Sequence, residues 1–182
     1  MKKLKKEILE KLRKIKLIVS DVDGVLTNGK INLLGDKELK IFDAKESERI
    51  QMAIRSGIPV VWLTGRKGPT AILRSESIGA HIMFKKDFKD GKSLLADALR
   101  KKFNVRPQEI IFVGDDWGDL CFMRQFGLCA APSDASRENK AIADIITDAK
   151  GGEGVLSELI ELIMRLQGKW NIYIKEYYKR FL

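Results

Sequence analysis

The sequence predicts an α/β fold: a doubly wound, mostly parallel sheet with a projecting β-hairpin. Three short apolar runs each end in a polar turn. Leu17-Ile18-Val19 enters Ser20-Asp21, Ile58 to Leu63 enters Thr64-Gly65-Arg66, and Ile110 to Val113 enters Gly114-Asp115-Asp116. Unbroken apolar runs are what strands covered on both faces require. Segments with helical spacing lie between them, and strand–helix alternation of this kind builds a parallel sheet.

The elements follow in order. Leu4, Ile8, Leu12 and Ile15 repeat at helical spacing with lysines between them, predicting an amphipathic helix before the first strand. Residues 29–42 hold two short apolar pieces around Gly35-Asp36, which is a hairpin signal. Helices are expected at 46–56 on Ile50, Ala53 and Ile54, at 69–78 on Ile72, Leu73 and Ile78, and at 92–103 on Leu94, Leu95, Ala98, Leu99 and Phe103. A further helix is expected at 117–125, with Met123 and Phe126 in the core. Residues 127–131 and 145–146 read as short strands around a helix near 135–143. The last helix of the domain spans 153–167, with Leu156, Leu159, Ile160, Ile163 and Leu166 facing inward. Residues 1–168 thus form one domain. The tail 169–182 holds Trp170, Tyr173, Tyr177, Tyr178 and Phe181, and so either packs on its own subunit or reaches a neighbouring one.

Composition narrows the function classes. The chain has 182 residues, 45% of them hydrophobic and 32% charged, which is globular. No apolar run is long enough for a membrane span. Cys121 and Cys129 are the only cysteines and His81 the only histidine. A disulfide framework and a histidine or cysteine metal site are excluded, all three residues read as structural, and a reducing cytoplasm is the expected location. The net charge of +9 sits at the ends: residues 1–16 carry +6 and residues 165–182 carry +4, so the body between them is near neutral. That argues against a nucleic-acid-binding domain.

In open parallel sheets, reactive groups gather beyond the carboxyl ends of the strands. The first strand delivers Asp21 and Asp23 there, the second Thr64, Gly65 and Arg66, and the third Asp115, Asp116 and Asp119. Lys92 opens the helix before the third strand. Several carboxylates in one cleft require a cation, and donors that are all oxygen point to Mg2+. Mg2+, a lysine and a threonine hydroxyl together suit a phosphoryl group.

D-V-D-G-V-L-T, then T-G-R, then a lysine, then G-D-D-W-G-D resembles the haloacid dehalogenase-type phosphatases. G-V-L-T-N-G before a hairpin and K-I-F, Arg74 ten residues after Thr64, G-D-D-x-x-D-x-x-x-M and G-G-E-G narrow the resemblance. They resemble the small, capless branch of 3-deoxy-D-manno-octulosonate 8-phosphate phosphatases, which also includes phosphatases of nonulosonate 9-phosphates. The resemblance implies that Asp21 is the nucleophile and Asp23 the acid–base. It makes Asp21, Asp115 and the Asp23 carbonyl Mg2+ ligands, Thr64 a phosphate holder, and Lys92 the charge neutraliser. Asp116 or Asp119 would support Lys92 or a metal-bound water, and Arg66 and Arg74 would meet a substrate carboxylate. It also implies a homotetramer built around the hairpins. The chain departs from the branch at Thr27-Asn28-Gly29, at Glu46 to Ile50, and at Ser157, where the branch carries arginine. The last two bear on the sugar or a neighbouring subunit rather than on the phosphate.

Overall fold

The computed structural model describes residues 4–35, 37–88 and 92–179, without the side chains of residues 92–94 and Tyr178. Its strands, in chain order, are β1 (Leu17–Ser20), β2 (Asn32–Leu34), β3 (Lys37–Leu39), β4 (Val60–Thr64), β5 (His81–Phe84), β6 (Ile110–Val113), β7 (Leu128–Ala131) and β8 (Ile145–Ile146). All but β2 and β3 form one parallel sheet, in the spatial order β5-β4-β1-β6-β7-β8. The chain builds one wing from β1 through β4 to β5, then returns to start the other at β6. The switch therefore falls between β1 and β6, where Ile18 pairs with Ile111 and Ser20 with Val113.

The helices are α1 (Lys6–Leu12), α2 (Ala44–Arg55), α3 (Pro69–Ile78), α4 (Lys92–Phe103), the single turn α5 (Leu120–Met123), α6 (Arg137–Ile142), α7 (Val155–Leu166) and α8 (Lys169–Lys179). Strand alternation sends side chains to two cores. On one face Ile18, Val60, Trp62, Ile111 and Ala130 pack beneath α1, α2, α3, α7 and α8. On the other, Leu17, Val19, Val61, Leu63 and Phe112 pack beneath α4 and α5. The inward face of α7 is made by Leu159, Ile160 and Ile163, all without solvent contact. Truncating any one to alanine costs about 2–5 kcal/mol.

Two features depart from the sequence reading. His81–Phe84 is a strand that periodicity does not mark, lying half-buried at the edge of the sheet. The helix expected at 117–125 is shorter: a 3-10 turn at Trp117–Asp119 leads into α5. The expected hairpin forms as β2 and β3, antiparallel and separate from the main sheet. Asp36, at its tip, lies outside the described residues. No cap domain is evident among the described residues. The aromatic tail becomes α8, which packs on its own subunit: Trp170 is buried against the core, with the guanidinium groups of Arg49 and Arg165 over its ring. Residues 180–182 lie outside the described residues.

Candidate active site

β1 and β6 bracket the switch point and end in acids. Asp21 is fixed by its own N–H, which donates 2.9 Å to the Val113 carbonyl across the two strands. Carboxylate oxygens of Asp21, Asp115 and Asp119 lie within 4.8 Å of one another. Asp115 approaches so closely that a Cβ on Gly24 would stand 2.0 Å from its Oδ2, and Gly24 has φ +97°. Only glycine satisfies both conditions.

Lys85, directly after β5, neutralises part of this cluster. Its Nζ lies 2.9 Å from Asp21 Oδ2 and 2.8 Å from Asp119 Oδ1. Asp119 is in turn fixed by the Asp115 N–H, which donates to its Oδ2 at 3.1 Å. Burial drives the Asp21 carboxyl well above its ordinary range, and repulsion from Asp119 adds to this against the pull of Lys85. Burial and Asp119 likewise push Asp115 up to about 7. Buried, mutually repelling carboxylates of this kind call for a cation. Asp115 Oδ1 is buried without a hydrogen-bond partner, leaving a free oxygen donor on the acid. The donors are all oxygen, so the residues present fit Mg2+.

Thr64 ends β4 fully buried, and its Oγ1 accepts from the Arg66 N–H at 3.1 Å. That turn places Gly65 in the lining of a cleft of about 390 Å3, together with Lys85, Phe88 and Phe122. Arg66 reaches the acid–base candidate: its Nε is 3.7 Å from Asp23 Oδ2 and its Nη1 3.3 Å from Glu38 Oε2. Lys40, from the segment after β3, contacts both Asp23 and Glu38, the latter at 2.7 Å. Burial alone would lower the Lys40 ammonium, but its bonds to these two carboxylates raise it above the ordinary lysine value.

The structure thus gathers Asp21, Asp23, Thr64, Gly65, Arg66, Asp115 and Asp119 at one end of the sheet. It sets Arg74 apart, on α3, donating 2.6 Å to Ser47 Oγ on α2. Asp116 is exposed, and its carbonyl takes the Asn139 amide and the Asp119 N–H. Among the described residues, the lysine that meets the carboxylates is Lys85; the side chain of Lys92 lies outside them. Lys85 is readable in the sequence only as the residue after Ile82-Met83-Phe84, a run that ends in lysines rather than in the acid or glycine turn that marks the other strands. Lys40 and Glu38 carry no sequence signal, because the partners that tie them to the site, Asp23 and Arg66, come from other parts of the chain.

Known proteins resemble this chain over most of its length. The haloacid dehalogenase-like hydrolase family profile matches residues 83–159. The 3-deoxy-D-manno-octulosonate 8-phosphate phosphatase of Escherichia coli K12 is 32% identical over 164 residues, covering 90% of this chain and 86% of that one. The chain belongs to this family of haloacid dehalogenase-like hydrolases. The corresponding Moraxella catarrhalis phosphatase, solved with magnesium, phosphate and 3-deoxy-D-manno-octulosonate, superposes with a TM-score of 0.86 at 31% identity, covering 94% of this chain and 98% of that one. The cobalt-bound Haemophilus influenzae phosphatase superposes with a TM-score of 0.80 at 30% identity, covering 87% and 92%.

Proposed function

We propose that this chain is a Mg2+-dependent phosphatase that hydrolyses 3-deoxy-D-manno-octulosonate 8-phosphate through an aspartyl-phosphate on Asp21. The observation that carries the reading is the contact of Lys85 with Asp21 and Asp119 beside the unpartnered oxygen of Asp115. A buried nucleophile, a fixed ammonium and a cation site within a few ångströms of one another suit phosphoryl transfer.

An oxygen of Asp21 attacks phosphorus while the bond to the sugar oxygen breaks. Asp23 gives its proton to that oxygen as it leaves. Water then attacks the phosphorus of the aspartyl-phosphate, Asp23 takes the water's proton, and inorganic phosphate departs from a regenerated Asp21 carboxylate. Lys85 neutralises charge on the nucleophile and the transferring group. Thr64 and the amide of Gly65 hold phosphate oxygens. Asp21, Asp115 and the carbonyl of Asp23 would hold Mg2+, which screens the anionic nucleophile from the phosphate dianion. Arg66, exposed at the rim, is the guanidinium placed for the sugar carboxylate. The placement of Arg74 against Ser47 makes it the weaker candidate for that role.

The enzyme works as a homotetramer in the cytoplasm. Ile31, Leu33, Leu34, Leu39 and Ile41 of the hairpin segment are all exposed, Leu33 at 70% and Ile41 at 72%. A lone two-stranded hairpin with apolar sides is marginal in water, and packing against other copies covers it. Both cysteines are free, which fits a reducing compartment. No helix of the described residues is long and apolar enough to cross a membrane.

The test is phosphate release from a set of sugar phosphates with Mg2+. The octulosonate 8-phosphate gives the highest kcat/KM, and Asp21→Asn abolishes turnover without unfolding the chain. Preference for a nonulosonate 9-phosphate would move the assignment to that substrate. Light scattering gives a tetramer; a fully active monomer refutes the assembly.

A further inference from the structure

Asp23 stands at the edge of the carboxylate cluster, and its position is set from outside the sheet. The ammonium of Lys40 contacts Asp23 Oδ1 and lies 2.7 Å from Glu38 Oε1. The Lys40 side chain is only 4% exposed, so the ammonium is held in place rather than waving in solvent. Glu38 is itself anchored: its side chain meets Arg66, and its carbonyl accepts from Thr70 Oγ1 at the start of α3, 3.2 Å away. The second arm of the hairpin is thus pinned at three points, and Lys40 passes that constraint to Asp23.

Resting on the phosphatase reading above, we propose that Lys40 is the positioning residue for the acid–base Asp23. A carboxyl group on a two-bond side chain at a turn samples several rotamers, and only one places its oxygen by the leaving group. Proton transfer needs hydrogen-bond reach, so a group that spends its time in another rotamer contributes little. The nearly buried ammonium holds Oδ1 of Asp23, and Oδ2 meets only the half-exposed Arg66 side chain at 3.7 Å, a loose contact that the leaving group replaces. Because the ammonium rides on the hairpin arm, the hairpin is part of the acid–base machinery and not only an assembly surface. Lys40 does not touch the nucleophile in this arrangement: the described ion pairs of Asp21 run to Lys85.

A double-mutant cycle tests this. Lys40→Met is made in the wild-type chain and in the Asp23→Asn variant, with hydrolysis of a simple alkyl phosphate followed by phosphate release. That substrate keeps the cycle readable whichever sugar the enzyme prefers, so an error in the substrate assignment shows up separately. In the wild type, Lys40→Met lowers kcat about 10–100-fold with KM changed less than about twofold. In the Asp23→Asn background the same change lowers kcat less than about twofold, because a residue acting through Asp23 has nothing left to position. Lys40→Arg recovers part of the loss in the wild-type background. Equal losses in both backgrounds, or a raised KM at unchanged kcat, overturn the proposal and make Lys40 a structural or substrate-binding group. If Lys40→Met does not fold, Lys40→Gln enters the same cycle with the same two outcomes.

Discussion

Lys85 Nζ lies 2.9 Å from Asp21 Oδ2, against the carboxylate proposed as the nucleophile. Burial alone would pull this ammonium down, but the charges of Asp21 and Asp119 hold it above the ordinary lysine value. It therefore stays protonated around neutral pH. Lys85→Met removes the fixed positive charge and lowers kcat by at least about 100-fold, the scale found when one fixed donor to the transition state is lost. It also leaves Asp21 and Asp119 without that partner, so melting temperature falls more at pH 8 than at pH 5, where the acids take up protons. Steady-state kinetics and melts at the two pH values check both effects. Lys92→Met lowers kcat less than Lys85→Met; the reverse order would give the role to Lys92.

The difference between those two lysines shows what the sequence can carry. β1, β4 and β6 are central strands, so Leu17 to Val19, Val60 to Leu63 and Ile110 to Val113 have to be apolar on both faces, and each run advertises the acids or threonine behind it. β5 is an edge strand. Its residues are half-buried, so His81 is tolerated there, packed edge-on against Phe103 at 4.9 Å between ring centroids. Its apolar run, Ile82-Met83-Phe84, follows a histidine and ends in Lys85-Lys86 rather than in a glycine or acid turn, so the strand and the lysine that follows it are hidden together. The hairpin is legible from Gly35 and its flanking residues, but the contact of Lys40 with Asp23 is not. It joins residues from two elements, and nothing local in either segment requires it.

Removal of metal is the second prediction. Chelation abolishes turnover, and Mg2+ restores it, because Asp21, Asp115 and Asp119 otherwise repel one another in a buried site. Zn2+ restores much less, since the site offers only oxygens and no nitrogen or sulfur donors. Mg2+ also raises the melting temperature of the chelated protein, as any ligand of the folded state does. Full turnover after exhaustive chelation, or no thermal response to Mg2+, would contradict the assignment of Asp115.

Glu46 gives a prediction about pH. It is 2% exposed at the start of α2, and its Oε1 accepts the Leu156 N–H at 2.7 Å, capping the first turn of α7. Burial raises its carboxyl to about 7 against those backbone bonds, from an ordinary value of 4.5. The folded state then binds the proton more tightly than the unfolded state does. Its contribution to stability is complete below about pH 4.5 and is lost as pH rises to about 7, a change on the order of 3 kcal/mol. Glu46→Gln keeps an oxygen for Leu156 and cannot ionise. Its melting temperature changes less with pH between about 5 and 7.5 than that of the wild type. Identical slopes for the two proteins would show that Glu46 does not titrate in that range.

The aromatic tail supplies the last prediction. Trp170 is 8% exposed, and two guanidinium groups lie over its ring, Arg165 at 4.8 Å and Arg49 at 5.3 Å from the centroid. Tyr173 takes a bond from Arg55 Nη1 and stacks on Tyr177. Arg49 and Arg55 belong to α2 and Arg165 to α7, so α8 closes over these two helices on its own subunit. None of these contacts touches the carboxylate cluster. Trp170→Ala therefore costs about 3 kcal/mol of stability, as large-to-small changes in a core do, with cation–π contacts included. A chain ending at Gly168 loses more, and both variants keep KM within about twofold at temperatures where they remain folded. A large rise in KM with an unchanged melting temperature would mean that the tail acts at a neighbouring subunit's site, and that its packing on α2 and α7 contributes little.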